Sequence, residues 1–180
     1  AAGRRWQVSS CGFWQVHPGA ADILVDAVLA MADPRPGEHL VDLYAGVGLF
    51  GGAWGSRVTG PVDAVEGHRA AAADALTNLA DLPEVRVHAV PVERFVRSSP
   101  NLRPDVVVLD PPRVGAKRAV VEPVAAWGAR AVVYVACDPA SLGRDVALFA
   151  EQGYRLGAPR AFDLFPMTHH VECVALLVRV

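Results

Sequence analysis

Five short apolar runs, separated by segments with helical spacing, constrain this chain more than any other feature of it. They are His39–Leu43, Val62–Glu66, Val85–Ala89, Asp105–Asp110 and Ala131–Ala136. Two of them contain VVVLD and AVVYVA, continuously apolar and rich in valine, as expected of parallel strands covered on both faces. Leu49–Trp54, Arg69–Leu79, Arg118–Trp127 and Ala140–Gln152 read as the helical or turn segments that alternate with them. A further helix, Ala20–Ala32, comes first, with Ile23, Ala27 and Ala30 at helical spacing, and the proline-rich DPRPG stops it. Near the end, Tyr154–Leu156 and Val171–Val180 read as two more strands with no helix between them, a naturally antiparallel pair. The expected fold is α/β: a three-layer sandwich on a mostly parallel, seven-stranded sheet with one antiparallel strand. Residues 1–36 read as a helical lead-in and residues 37–180 as the core.

Composition narrows the class. At 180 residues, 52% hydrophobic and 20% charged, the chain is long enough for one well-filled core. No apolar run reaches the roughly 18 residues of a membrane helix, and no signal peptide opens the sequence. Cys11, Cys137 and Cys173 are odd in number and too scattered for a disulfide framework or a metal site, which fits a reducing cytoplasm. Seventeen Lys and Arg against nineteen Asp and Glu leave a net charge of −2, without the basic footprint of a nucleic-acid binder. Any affinity for RNA or DNA must then come from local patches or from another domain. The sequence opens on Ala rather than Met, and the expectation is a segment of a longer protein.

In open α/β sheets, ligands bind outside the carboxyl ends of the parallel strands, and the start of an antiparallel strand shares that rim. Asp42 ends the first strand, and Gly46 and Gly48 in DLYAGVG permit a tight turn with close backbone approach. The spacing is not that of a dinucleotide fingerprint, and a glycine turn alone is weak evidence. Glu66 strengthens it, since an acid ending the second strand is placed to accept bonds from a ribose hydroxyl pair. The blander reading is a turn and a solvated acid. In LDPPRVG the two prolines must stop the fourth strand, fixing Asp110 at the rim with Arg113 in the loop beyond. Cys137 ends the fifth strand, near a helix N-terminus that would lower its pKa, although Asp138 beside it acts the other way. A small hydrophobe in the core is the alternative for such a cysteine. Glu172 opens the last strand at the same edge, where partial desolvation suits a general base; its alternative is a surface carboxylate. His169 and His170 are adjacent and cannot both turn readily to one ion, so no metal is expected.

Together, FWQ at 13–15, DLYAGVG at 42–48, DPPR at 110–113, YVACDP at 134–139 and DLFPMTHHVE at 163–172 resemble the S-adenosylmethionine-dependent RNA 5-methyluridine methyltransferases, which modify uridines in tRNA and 23S rRNA. The resemblance spans nearly the whole chain, in the family's order. It implies a Rossmann-like class I methyltransferase fold, with Cys137 as nucleophile and Glu172 as base. It further implies that Gln15 touches cofactor and base, that Tyr44, Gly46 and Gly48 line the methionine side of the cofactor, and that Glu66 holds its ribose. Asp110 would lie between cofactor and uracil, with Arg113 on a phosphate and His170 toward the substrate. The implied partner is rRNA or tRNA, with much of the affinity supplied by other domains. The family commonly adds an oligonucleotide-binding-like domain and a central domain, and in some members an iron–sulfur cluster. Departures are Ala45 where the family often has Cys, Leu49 where it has Asn, Ala136–Pro139 where it has Ser-Cys-Asn-Pro, and the missing polar residue near Pro91.

Two competing readings remain at this point: a methyltransferase of another substrate, and a cofactor-binding module that is inactive without its RNA-binding part.

Overall fold

The computed structural model describes residues 1–10, 12–165, 167–168 and 171–180. His170, the expected substrate contact, lies outside the described residues, as do His169, Cys11 and Pro166. The chain alternates as expected. The first half runs α1 (Ala20–Ala32), β1 (Leu40–Leu43), α2 (Leu49–Arg57), β2 (Val62–Val65), α3 (Arg69–Asn78) and β3 (Val85–His88). The second runs α4 (Val92–Ser98), β4 (Val106–Leu109), α5 (Arg118–Trp127), β5 (Ala131–Ala136), α6 (Pro139–Glu151), β6 (Tyr154–Leu156), β7 (Arg160–Phe162) and β8 (Glu172–Arg179). Two elements go beyond the sequence expectation. Helix α4 is too short for periodicity to register, and β7 is three residues of an edge strand.

The sheet order is β3-β2-β1-β4-β5-β8-β6, with β1 to β5 parallel and β8 antiparallel to β5, β6 and β7. Seven positions result, because β6 and β7 share the outer side of β8, one along each half. Pro159 falls between them, and a residue without an N–H interrupts a ladder. The free edges carry Arg86 and His88 on β3, Arg155 on β6 and Arg160 on β7.

Alternation along the strands sorts their side chains into two cores. Leu40, Val106, Val108, Val133, Val135 and Val174 face one layer with Leu24, Val25 and Val28 of α1 and Phe50 and Trp54 of α2. Val41, Leu43, Val107, Leu109, Val132 and Tyr134 face the other, with Phe95 of α4, Val120 and Trp127 of α5 and Phe149 of α6. Each fully buried Val, Leu or Phe contributes about 1.5–3 kcal/mol through removal of apolar surface from water. The lead-in is part of the molecule's core: α1 packs against the strands, and Ala2 is buried beside it. Among the described residues, no helix is long and apolar enough to cross a membrane.

The N-terminal segment is held on α3. Asp74 accepts from the Ser9 amide (2.8 Å), and Asn78 both accepts from the Gln7 amide (2.7 Å) and donates to the Val47 carbonyl (3.0 Å). One side chain thus joins the segment leading to Gln15 with the glycine turn after β1.

Candidate active site

The strand faces decide which side chains meet at the carboxyl edge. Side chains alternate along a strand, so residues two apart share a face. On β1, Asp42 shares the α1/α2 face with Leu40; beyond β2, Glu66 continues the face of Val62 and Ala64. Asp110 continues the face of Val106 and Val108, Cys137 that of Val133 and Val135, and Glu172 that of Val174. Five neighbouring strand positions therefore present Glu66, Asp42, Asp110, Cys137 and Glu172 in one row.

Register brings the last two together. Ala136 pairs with Cys173, and one step further along that antiparallel ladder sets Cys137 opposite Glu172. Directly opposed residues have Cβ atoms about 4.5–5.5 Å apart. Their electrostatics agree. Burial pushes the Cys137 thiol up from its ordinary pKa, the charges of Glu172 and Asp110 push it the same way, and only Arg113 and a backbone hydrogen bond act against them. The sequence suggested that the α6 N-terminus would lower this thiol; the net shift is instead upward, with desolvation the largest cause and the two carboxylates next. That helix end is already capped by Asp138, which accepts from the Ala140 amide at 3.0 Å.

Glu172 is buried, and desolvation raises its pKa to about 7. Asp110 is raised well above the usual range, first by burial and then by Glu172 and Asp42. Asp42, fully buried, is raised to about 7 by desolvation, helped by Glu66 and opposed by the Gly51 amide, which donates to its Oδ2 at 2.8 Å. Its Oδ1 has no hydrogen-bond partner among the described residues. An unpaired buried acceptor is costly, on the order of 1–3 kcal/mol, and calls for a donor from outside the chain.

The turn above Asp42 is shaped for close approach. Tyr44, Gly46 and Gly48 all have left-handed backbone, with φ of 64°, 57° and 94°. A Cβ at Gly46 would meet nothing within 4 Å, so the backbone there borders open space, whereas at Gly48 it would strike Leu79 at 2.7 Å. Glu66 fastens the turn: its carboxylate accepts from the amides of Gly46 (2.8 Å) and His68 (2.5 Å). Each oxygen retains a lone pair for a further donor. Tyr44 is half-buried and its ring packs on the α4–α6 side, so its backbone rather than its ring borders the turn. Gln15 is half-buried in a separate segment, where its neighbour Trp14 packs against the α1/α2 core as Phe165 does. Arg113 is exposed in the loop after β4.

A further carboxylate, not singled out in the sequence, lies behind these loops. Asp145 of α6 is fully buried and accepts five hydrogen bonds. Its signal was there: with Leu142 and Phe149 it occupies the buried stripe of α6, where an acid is out of place. Among the described residues, no cluster of His, Cys, Asp and Glu could hold a metal ion.

The fold is shared with many methyltransferases. The precorrin-6Y C5,15-methyltransferase of Geobacter metallireducens superposes with a TM-score of 0.73 over 97% of this chain and 95% of its own, at 12% identity. The tRNA (uracil-54, C5)-methyltransferase of Pyrococcus abyssi, solved with S-adenosyl-L-homocysteine, superposes at a TM-score of 0.82 and 30% identity, over 98% of this chain and 42% of its own. Among curated proteins, an uncharacterised RNA methyltransferase of Streptomyces avermitilis is 50% identical over 98% of this chain and 41% of its own length. One from Streptomyces coelicolor is also 50% identical, over 97% and 38%. The chain thus spans about two fifths of the length of these relatives. Residues 7–180 match the family model for tRNA (uracil-5-)-methyltransferase, and with the 50% identity to the Streptomyces proteins this places the chain in that family.

Proposed function

We propose that this chain is the catalytic region of an enzyme that transfers a methyl group from S-adenosylmethionine to carbon 5 of a uridine in rRNA or tRNA. S-adenosylmethionine is the cofactor that goes with this fold and family, and the residues present fit it. Asp42 Oδ1 lacks a donor, Gly46 borders open space, and the row of carboxylates favours a cation. On this reading the Gly46–Gly48 backbone and Tyr44 cradle the methionine portion, Glu66 accepts from the ribose hydroxyls, and Asp110 lies between cofactor and base. Bound there, S-adenosylmethionine supplies an electrophilic methyl on a positively charged sulfonium, and that charge offsets the row.

The observation that carries the mechanism is the opposition of Cys137 and Glu172 across β5 and β8. Carbon 5 of uracil is a poor nucleophile. Attack of the Cys137 sulfur on carbon 6 forms a C–S bond and moves the electron pair of the 5,6 double bond into an enolate. Carbon 5 can then take the methyl. Glu172 removes the remaining proton at carbon 5, the double bond re-forms, and the Cys137 thiolate leaves. The uridine must be unstacked to reach this edge. Gln15 and His170 are assigned to the base and Arg113 to a phosphate. Cytoplasmic RNA is the expected partner, with further affinity from domains outside this chain.

The test uses the full-length protein with a uridine-bearing RNA stem-loop and labelled cofactor. Cys137→Ser abolishes methylation, and Glu172→Gln accumulates a denaturant-resistant protein–RNA adduct. Normal methylation by Cys137→Ser would end the covalent mechanism. Cofactor binding without turnover at high RNA concentration would instead mark a binding module.

A further inference from the structure

Two loops meet behind the site, one carrying Arg113 and the other leading from Cys137 into α6. Between them sits Asp145. Its Oδ2 accepts from the Ala116 amide (2.7 Å), the Lys117 amide (3.2 Å) and the Tyr134 hydroxyl (2.6 Å). Its Oδ1 accepts from Arg144 Nε (3.0 Å) and a terminal guanidinium nitrogen (2.9 Å). That same Arg144 nitrogen donates to the Val114 carbonyl at 2.8 Å, so the pair grips the turn from both ends. Gly115, at φ +73°, lies between: a Cβ there would fall 2.3 Å from Arg144 and 2.6 Å from Asp145. The turn has been pressed onto α6 as closely as glycine permits.

We infer that Asp145 is a positioning residue of the site: it ties the 114–117 turn to α6 and so holds the neighbouring Arg113 at Cys137. This rests on the reading of Cys137 as nucleophile, and no bond joins Asp145 to the reacting atoms. Charged carboxylate–amide and carboxylate–guanidinium bonds are the strong ones; burial shields the Asp145 bonds to Ala116 and Tyr134 from water, whereas the Arg144 guanidinium is exposed. Glu172 of β8 stands opposite Cys137, and the β4–β5 register sets the loop after β4 beside the end of β5. The charges that act on the thiol are those of Glu172 and Asp110, both acidic, and Arg113. Arg113 is the one cation of the three and the one that lowers the thiol, so moving it away raises the thiol further.

The pH dependence of Cys137 alkylation by iodoacetamide, resolved by peptide mass spectrometry, reads this directly. Arg113→Ala and Asp145→Asn each move the Cys137 profile to higher pH, and the double variant moves it no further than Arg113→Ala alone. At a fixed pH below the thiol pKa, a profile displaced upward by about half a pH unit lowers the Cys137 rate about threefold, since the thiolate is the reacting form. Cys173, which packs on the other face of β8, keeps its own profile. A wild-type Cys137 profile in folded Asp145→Asn, or additive displacements in the double variant, overturns the inference. Should Asp145→Asn fail to fold, Tyr134→Phe removes one bond to Oδ2 and gives a smaller displacement in the same direction; an unmoved profile there overturns it equally. Alkylation does not depend on methyl transfer, so an active Cys137→Ser enzyme would refute the nucleophile while leaving this coupling separately measured.

Discussion

A carboxylate that takes a proton from carbon near neutrality must be ionised there and still bind the proton well; Glu172, raised to about 7 by burial, meets both conditions. On the proposal that Glu172 is the base, kcat/KM for methylation measured across a pH series should rise as pH passes upward through about 7. The same raised pKa marks stability with the opposite sense. The folded protein prefers the protonated acid, so the penalty is absent below the unfolded pKa near 4.5, grows as pH rises, and is complete above about 7. Denaturant titrations of Glu172→Gln should match wild type at about pH 4 and gain about 1–2 kcal/mol at about pH 8, after allowance for solvent screening. Residues of this kind were legible because they stand at strand ends: Cys137, Glu172, Asp110 and Glu66 all follow or open apolar runs. Asp145 was missed although it shares the apolar stripe of α6 with Leu142 and Phe149, because one acid in a stripe shows neither its burial nor its partners. Nor could the sequence weigh two carboxylates against a helix end in setting the Cys137 thiol.

Helices and strands must also be fixed against one another at the edge remote from the site, and one ion pair joins three of them there. Arg130, just before β5, donates bidentately to Glu38, just before β1, at 2.5 and 2.7 Å. A third bond, to the Asp33 carbonyl at 2.9 Å, closes the end of α1. The Arg130 guanidinium holds the buried Glu38 carboxyl below its usual range, so the pair's contribution is present above pH 4.5 and fades as pH falls through the lowered value. Arg130→Met should destabilise by about 1–3 kcal/mol at neutral pH, with a smaller difference in acid, as thermal melts at several pH values would record. At this level the chain is legible where apolar runs are continuous, as in β4 and β5. It is poorly legible where elements are brief, as in α4 and β7, whose three to seven residues carry too little pattern to separate from a loop.

The sheet as a whole frames the carboxyl edge to which the cofactor is assigned, and cofactor binding should be felt by the entire fold. A ligand that binds only the folded state adds about 2.7 kcal/mol at a hundredfold excess over Kd. S-adenosylmethionine should therefore raise the melting temperature, and Glu66→Ala, which releases the amides of Gly46 and His68, should lose most of that rise. Differential scanning fluorimetry across a cofactor series measures both. The architecture was foreseeable because parallel strands buried on two faces leave an unbroken valine signature; the contribution of α1 to the core was not, since a leading helix carries no mark of what it packs against. The outer strands have a consequence of their own. Arg86, Arg155 and Arg160 stand along the two open flanks, and Pro159 breaks one of them. An extended peptide trying to zip onto either flank would have to dehydrate guanidinium groups or face a backbone nitrogen with no hydrogen. Crowded copies of this domain are accordingly kept from templating one another into fibrous aggregates.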